Sequence, residues 1–96
     1  MLFTEAAVRA KAANYDGIQL HAAHFFFLSK FISPAFNQRA DEYGGNPEAR
    51  AKILGDILDS IRAELGDEFP IIVKINGDDL TDGGMTLHDC IAACKV

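Results

Sequence analysis

The sequence predicts an α/β fold built on parallel strands, and three observations carry that prediction. Helical and strand patterns alternate along the chain as helix, strand, helix, strand, helix. That order is the logic of βα repeats, with both strands buried, and it implies a parallel sheet covered on its faces. Each strand also ends in polar residues, Gln19, His21 and His24 in the first, Lys74 and Asn76 in the second. Carboxyl ends of parallel strands are where α/β folds place ligand sites.

The first helix is expected from about Glu5, with Thr4 as its N-cap and Phe3 stapled to Val8 across the first turn. Asn14 can take the left-handed conformation that ends it, and Tyr15-Asp16-Gly17 turns the chain into the first strand. In that strand Ile18 and Leu20 share one face while Gln19 and His21 share the other, so packing and polar chemistry point opposite ways.

Residues 25–45 form a long connection containing Pro34, Asn37 and Gly44-Gly45. Connections in compact domains usually run about 4–6 residues, so one of this length is expected to carry function. Its apolar block, Phe25-Phe26-Phe27-Leu28 with Phe31 and Ile32, is expected to form a short helical turn beside the site. Gly44 and Gly45 lack the spacing of a phosphate loop and read as a turn before the next helix.

That helix is the most secure element. Asn46 caps it, Pro47 occupies a first position where its missing N–H costs nothing, and Ile53, Leu54, Ile57, Leu58, Ile61 and Leu65 form one apolar stripe before Gly66 stops it. Phe69 to Asn76 follows as a β-branched run that predicts a strand buried on both faces. After Gly83-Gly84, Thr86 and Asp89 form a capping box for a last helix expected to run into the chain end. Two strands leave two open sheet edges, which predicts that the chain is a piece of something larger or associates through those edges.

Composition narrows the function. The chain has 96 residues, 49% hydrophobic and 24% charged, and a net charge of −5 without a basic cluster, so no nucleic-acid partner is expected. No apolar run approaches the roughly 20 residues needed to cross a bilayer, and the N-terminus lacks a basic region followed by an apolar one. Cys90 and Cys94, four apart, suit free thiols in a reducing cytoplasm.

Among residues able to carry chemistry, His21 and His24 stand first. Imidazoles at a strand end can donate hydrogen bonds to an oxygen that gains negative charge. The same pair could equally be structural, or could join Cys90 and Cys94 in a zinc site, although the cysteine spacing is not that of a zinc knuckle. Lys74 lies in an otherwise apolar strand, where a charge must be paired or must meet a ligand. An anionic ligand edge would satisfy it, and so would a carboxylate on a neighbouring strand.

The segment from Asp16 to Arg50 resembles the Old Yellow Enzyme family of flavin oxidoreductases. The resemblance rests on His21 and His24 with two residues between them, on Ser33-Pro34, and on the block Arg39-Ala40-Asp41-Glu42-Tyr43-Gly44-Gly45. It continues through the Phe69 to Asn76 strand and the Gly83-Gly84 turn. It implies a fragment of a (β/α)8 TIM barrel, with the strands here as the fourth and fifth. Residues 1–96 would then be a partial FMN-binding barrel domain, truncated at both ends and lacking the rest of the barrel.

It further implies FMN as cofactor, NAD(P)H as reductant, and a small-molecule electron acceptor: an enone, enoate or enoyl thioester, a quinone or a nitro compound. His21 and His24 would grip the acceptor's electron-withdrawing oxygen, and Lys74 would sit beside the flavin's pyrimidine edge, where the family commonly has arginine. Many members carry a proton-donating tyrosine two residues after the second histidine, where this chain has Phe26. Ala40 and Ala49 replace residues that look like loop supports. A non-catalytic fragment that does not bind flavin alone is the competing expectation.

Overall fold

The computed structural model describes residues 1–96, the whole chain. Its elements are α1 (Leu2–Ala12), β1 (Ile18–Ala22), α2 (Phe27–Ile32), α3 (Pro47–Leu65), β2 (Ile71–Ile75) and α4 (Leu87–Ala93). β1 and β2 form one parallel two-stranded sheet in the register Ile18↔Ile71, Gln19↔Ile72, Leu20↔Val73, His21↔Lys74 and Ala22↔Ile75.

The register separates the sheet into two unlike faces. Ile18, Leu20 and Ala22 of β1 meet Ile71, Val73 and Ile75 of β2 on the face packed against the helices. There they join Ala7 of α1, Leu28 and Ile32 of α2, Ala51, Leu54, Ile57 and Ile61 of α3, and Cys90 and Ala93 of α4 in one core. The opposite face carries Gln19, His21, Ile72 and Lys74, all exposed.

Local sequence explains most of the frame. Asn46 Oδ1 accepts the Ala49 N–H at 2.8 Å to start α3, with Pro47 as its first residue. Gly66, at φ 77°, ends it. Asn14 adopts φ 65° after α1, as its type allows. Gly17 is required by proximity: a Cβ there would lie 2.8 Å from the Pro70 carbonyl oxygen, which accepts the Ile18 N–H. The Thr86–Asp89 capping box is formed at the start of α4.

Three expectations are corrected. Thr4 does not cap α1, which starts three residues earlier, at Leu2 behind Met1; its hydroxyl is buried against Ser60 Oγ at 2.7 Å. A tertiary contact between α1 and α3 has taken the side chain a cap would have used. β2 is covered on one face only, because every helix packs on the Val73 side and Ile72 is left 60% exposed. A β-branched run specifies a strand without specifying what covers its second face. The last helix ends at Ala93, with Cys94 as its cap residue, and does not run into Val96.

Candidate active site at the carboxyl ends of the strands

His21 is the fourth residue of β1, and period-two alternation aims it onto the open face. Its register partner is Lys74, so an imidazole and an ammonium group project side by side from adjacent strands about 4.8 Å apart. Gln19 and Ile72 form the row below. None of the chain's four ion pairs involves Lys74, and its one neighbouring strand here, β1, contains no carboxylate.

β1 ends at Ala22, and the chain then turns abruptly. His24 and Phe25 are both left-handed, at φ 57° and 58°. Non-glycine residues enter this region at a cost of about 1–2 kcal/mol each, and two in succession need outside support. The support is visible: the His24 N–H donates to Asn76 Oδ1 at 3.1 Å, and the Phe25 N–H donates to Ser29 Oγ at 3.2 Å. The turn folds the His24 ring back to 5.3 Å from the His21 ring, nearly edge-on at 75°. Phe26 closes the other side, its ring 5.0 Å from that of His21. Both histidines remain exposed, so their donors face outward.

A second layer stands behind His24. Asn76 Nδ2 donates to Asp79 Oδ1 at 3.0 Å, the Met85 N–H donates to Asp79 Oδ2 at 2.7 Å, and the Asp79 N–H donates to the Met85 carbonyl at 2.8 Å. The loop after β2 is thereby tied to the loop after β1. Sequence reasoning placed Asn76 in the second strand without this task, and missed Asp79 and Ser29. The available signal was an amide immediately beyond a strand's carboxyl end.

The arginine-to-glycine block lies elsewhere and is self-supporting. Arg39 makes a two-point contact with Asp41, at 3.0 and 2.5 Å. Asn37 Nδ2 donates to the carbonyls of Phe31 and Tyr43. Gly44 passes so close to the Arg39 carbonyl that no side chain could fit. The Tyr43 hydroxyl donates to Asp56 at 2.8 Å, and Lys52 Nζ donates to the same oxygen at the same distance. These bonds, first Lys52's and then Tyr43's, hold the Asp56 carboxyl below its usual range and push the Tyr43 phenol up.

Buried Arg50 fixes both ends of the long loop. Its Nε donates to the Ile32 carbonyl at 2.8 Å, another nitrogen donates to the Gly45 carbonyl at 2.5 Å, and Asp89 of the α4 cap lies 3.5 Å away. The loop therefore shapes the site's surroundings without entering it.

No three His, Cys, Asp or Glu side chains come together in a metal-binding arrangement, so the set His21, His24, Cys90 and Cys94 is not assembled. Cys90 and Cys94 are free thiols, and burial pushes the Cys90 thiol up. No helix is long and apolar enough to cross a membrane.

The model of the NADH:flavin oxidoreductase / NADH oxidase family matches residues 1–96. An NADPH dehydrogenase of Bacillus subtilis is 42% identical over 93 residues, 97% of this chain and 27% of the relative. An NADH oxidase of Thermoanaerobacter brockii is 41% identical over 87 residues, 91% of this chain and 13% of the relative. The chain thus spans between about one eighth and about one quarter of these relatives.

Among solved structures, a 2-naphthoyl-CoA reductase in complex with 2-naphthoyl-CoA superposes with a TM-score of 0.93 at 34% identity, covering 97% of this chain and 14% of that one. An Old Yellow Enzyme homologue from Zymomonas mobilis superposes with a TM-score of 0.77 at 33% identity, over 91% of this chain and 24% of that one. The two parallel strands and their helices thus match a fragment of the TIM barrel of Old Yellow Enzyme relatives. From its full-length family match, its relatives and its fold, this chain belongs to the NADH:flavin oxidoreductase / NADH oxidase family.

Proposed function

We propose that this chain supplies the acceptor-gripping wall, and one cofactor contact, of an FMN-dependent, NAD(P)H-linked oxidoreductase, as a partial FMN-binding barrel domain of residues 1–96. The observation that carries the reading is the convergence of His21, His24 and Lys74 on one open sheet face, with His21 and Lys74 in register. A site of this kind needs directed donors and an unpaired cation on a face that packing does not consume. The family supports flavin and a nicotinamide reductant in general terms; FMN is our assignment.

The residues present fit a flavin edge. Lys74 has no carboxylate partner and lies beside an apolar residue, Ile72, on the same strand face. Bound FMN would supply the two-electron relay between NAD(P)H and the acceptor. Lys74 would hold a positive charge at the ring edge that gains negative charge on reduction. His21 and His24 donate hydrogen bonds to the acceptor's carbonyl, nitro or quinone oxygen, and the 5.3 Å spacing of their rings lets both reach one atom. The acceptor is a small activated molecule, an acyl thioester among the candidates given the superposition on a 2-naphthoyl-CoA reductase.

Phe26 shapes the chemistry by what it lacks. Its ring packs on His21 at the position where many members of the family carry the proton-donating tyrosine, and it has no proton to give. A new C–H bond on an alkene acceptor therefore takes its proton from water, whereas a quinone or nitro acceptor needs no carbon protonation. Free Cys90 and Cys94 suit a reducing, cytoplasmic setting.

The test is a chimera of the Bacillus subtilis NADPH dehydrogenase in which the matching 93-residue segment is replaced by this chain's. It should bind FMN, accept electrons from NADPH and reduce quinones faster than enones. Phe26→Tyr should raise the enone rate selectively, by the roughly 10²-fold or more typical of a placed proton donor. A chimera that folds and binds flavin but reduces none of these acceptors would overturn the proposal.

One observation favours a second reading for the chain by itself. The sheet has only two strands and only 18 of 96 residues are buried, so both outer edges are free to self-associate and the flavin site is incomplete. Titration of the purified chain with FMN decides it: saturable binding removes the reading of a non-catalytic fragment, and no binding supports it.

A further inference from the structure

The geometry points to Asn76 as the positioning residue that sets His24 in its working orientation, with Asp79 fixing the direction in which the Asn76 amide acts. This inference rests on the reading of His24 as an acceptor-gripping donor. It extends that reading from the residues that would touch the acceptor to one that acts only through another.

His24 follows a strand and stands at φ 57°, with Phe25 at φ 58° behind it. Extended or helical backbone would be preferred by both residues and would carry the His24 ring away from His21. One side-chain bond supports the first of the two: Asn76 Oδ1 accepts the His24 N–H at 3.1 Å across the strand ends. Ser29 supports the second through the Phe25 N–H. The pair of bonds closes the turn whose product is the 5.3 Å approach of the two imidazoles.

The Asn76 amide could in principle face either way, and its neighbours remove the choice. Its Nδ2 donates to Asp79 Oδ1, which accepts only, while its Oδ1 receives a backbone N–H, which donates only. A flipped amide would set oxygen against carboxylate and N–H against N–H. Asp79 is itself held by both backbone groups of Met85, a buried residue. The chain of bonds therefore runs from the core, through Asp79 and Asn76, to the backbone of His24.

The donor and acceptor pattern allows a test that stability alone cannot imitate. In the double variant N76D/D79N every bond can be remade with roles exchanged: the carboxylate at position 76 accepts from the His24 N–H and from the new amide at position 79, whose oxygen accepts from Met85. In N76D alone two carboxylates face each other. The first measurement is made on the isotope-labelled 96-residue chain, by amide exchange at His24 and by the nuclear Overhauser contact between the two imidazoles. It needs neither flavin nor acceptor.

Asn76→Ala should speed His24 exchange on the order of tenfold, the loss of one hydrogen bond, and weaken the ring contact, and N76D should weaken the ring contact because its carboxylate is repelled by Asp79. N76D/D79N should restore both. Thr86→Ala, which removes a cap on α4, controls for lost stability and should leave the ring contact intact. The second measurement titrates a phenolic ligand into the flavin-loaded chimera: Asn76→Ala should weaken binding, and the double variant should recover it.

A His24 ring contact that survives Asn76→Ala overturns the inference. So does a ligand affinity that falls in H21A/H24A but not in Asn76→Ala. An affinity unchanged even in H21A/H24A overturns the reading of the histidines instead.

Discussion

The two faces of the β1–β2 sheet are built from the same ten residues and share no task. The Ile18, Leu20, Ala22, Ile71, Val73 and Ile75 face joins the core under four helices. The Gln19, His21, Ile72 and Lys74 face is exposed and sets an imidazole beside a lysine that makes no ion pair within the chain. Alternation at period two lets one strand serve both purposes, because a change of chemistry on one face leaves the packing of the other intact. The core side fixes where the candidate site lies, and the open side carries the side chains proposed to act there.

The sharpest way to break that comparison is to truncate one apolar side chain on each side. Ile57→Ala, beneath the sheet at 1% exposure, should destabilise the chain by about 2–5 kcal/mol in a denaturant melt. Ile72→Ala, on the open face, should stay within about 0.5 kcal/mol of the parent. Comparable losses would mean that the open face is packed in solution, through association at the sheet edges.

Lys74→Met sharpens it in the other direction. Loss of an exposed, unpaired charge should leave the melt unchanged, yet in the flavin-loaded chimera the reduction potential should fall by about 30 mV. That figure corresponds to about 1.4 kcal/mol in a two-electron couple. An unchanged potential would remove Lys74 from the cofactor's surroundings.

The smallest expected effect lies away from both faces. Asp56 is held below its ordinary value of 3.8 by Lys52 and Tyr43, so the unfolded chain takes up its proton more readily than the folded one does. Its contribution is present above about pH 4 and is lost as pH falls through the folded value. Tyr43, raised above 10.0, works oppositely: its contribution holds below pH 10 and fades as pH rises through the folded value. Asp56→Asn should flatten the acid side of a plot of Tm against pH, and Tyr43→Phe the alkaline side.

Much of this architecture was legible in the sequence because it is local. Asn46-Pro47, Gly66 and the Thr86–Asp89 box define helix ends through bonds spanning three or four residues, and all three are formed. The alternation of β1 similarly announced which face His21 would occupy. Features depending on distant partners were not legible. Thr4 looks like a cap until Ser60, 56 residues away, is known to meet it. Arg50 reads only as the end of the resembling segment until it is seen buried between Ile32, Gly45 and Asp89. Asn76 shows the limit most clearly: its partner is a backbone N–H whose left-handed setting no pattern in the Phe25-Phe26-Phe27 run suggests.

The most direct test of the account is a titration of the flavin-loaded chimera with a phenolic ligand, read by the ligand-induced change in the flavin's visible absorbance. The parent site should bind it saturably. His21→Ala with His24→Ala, which removes both imidazole donors, should weaken it on the order of a hundredfold while flavin content stays the same, as expected for two lost hydrogen bonds to a charged oxygen. An affinity that survives the double substitution would contradict the assignment of the open face as the acceptor site.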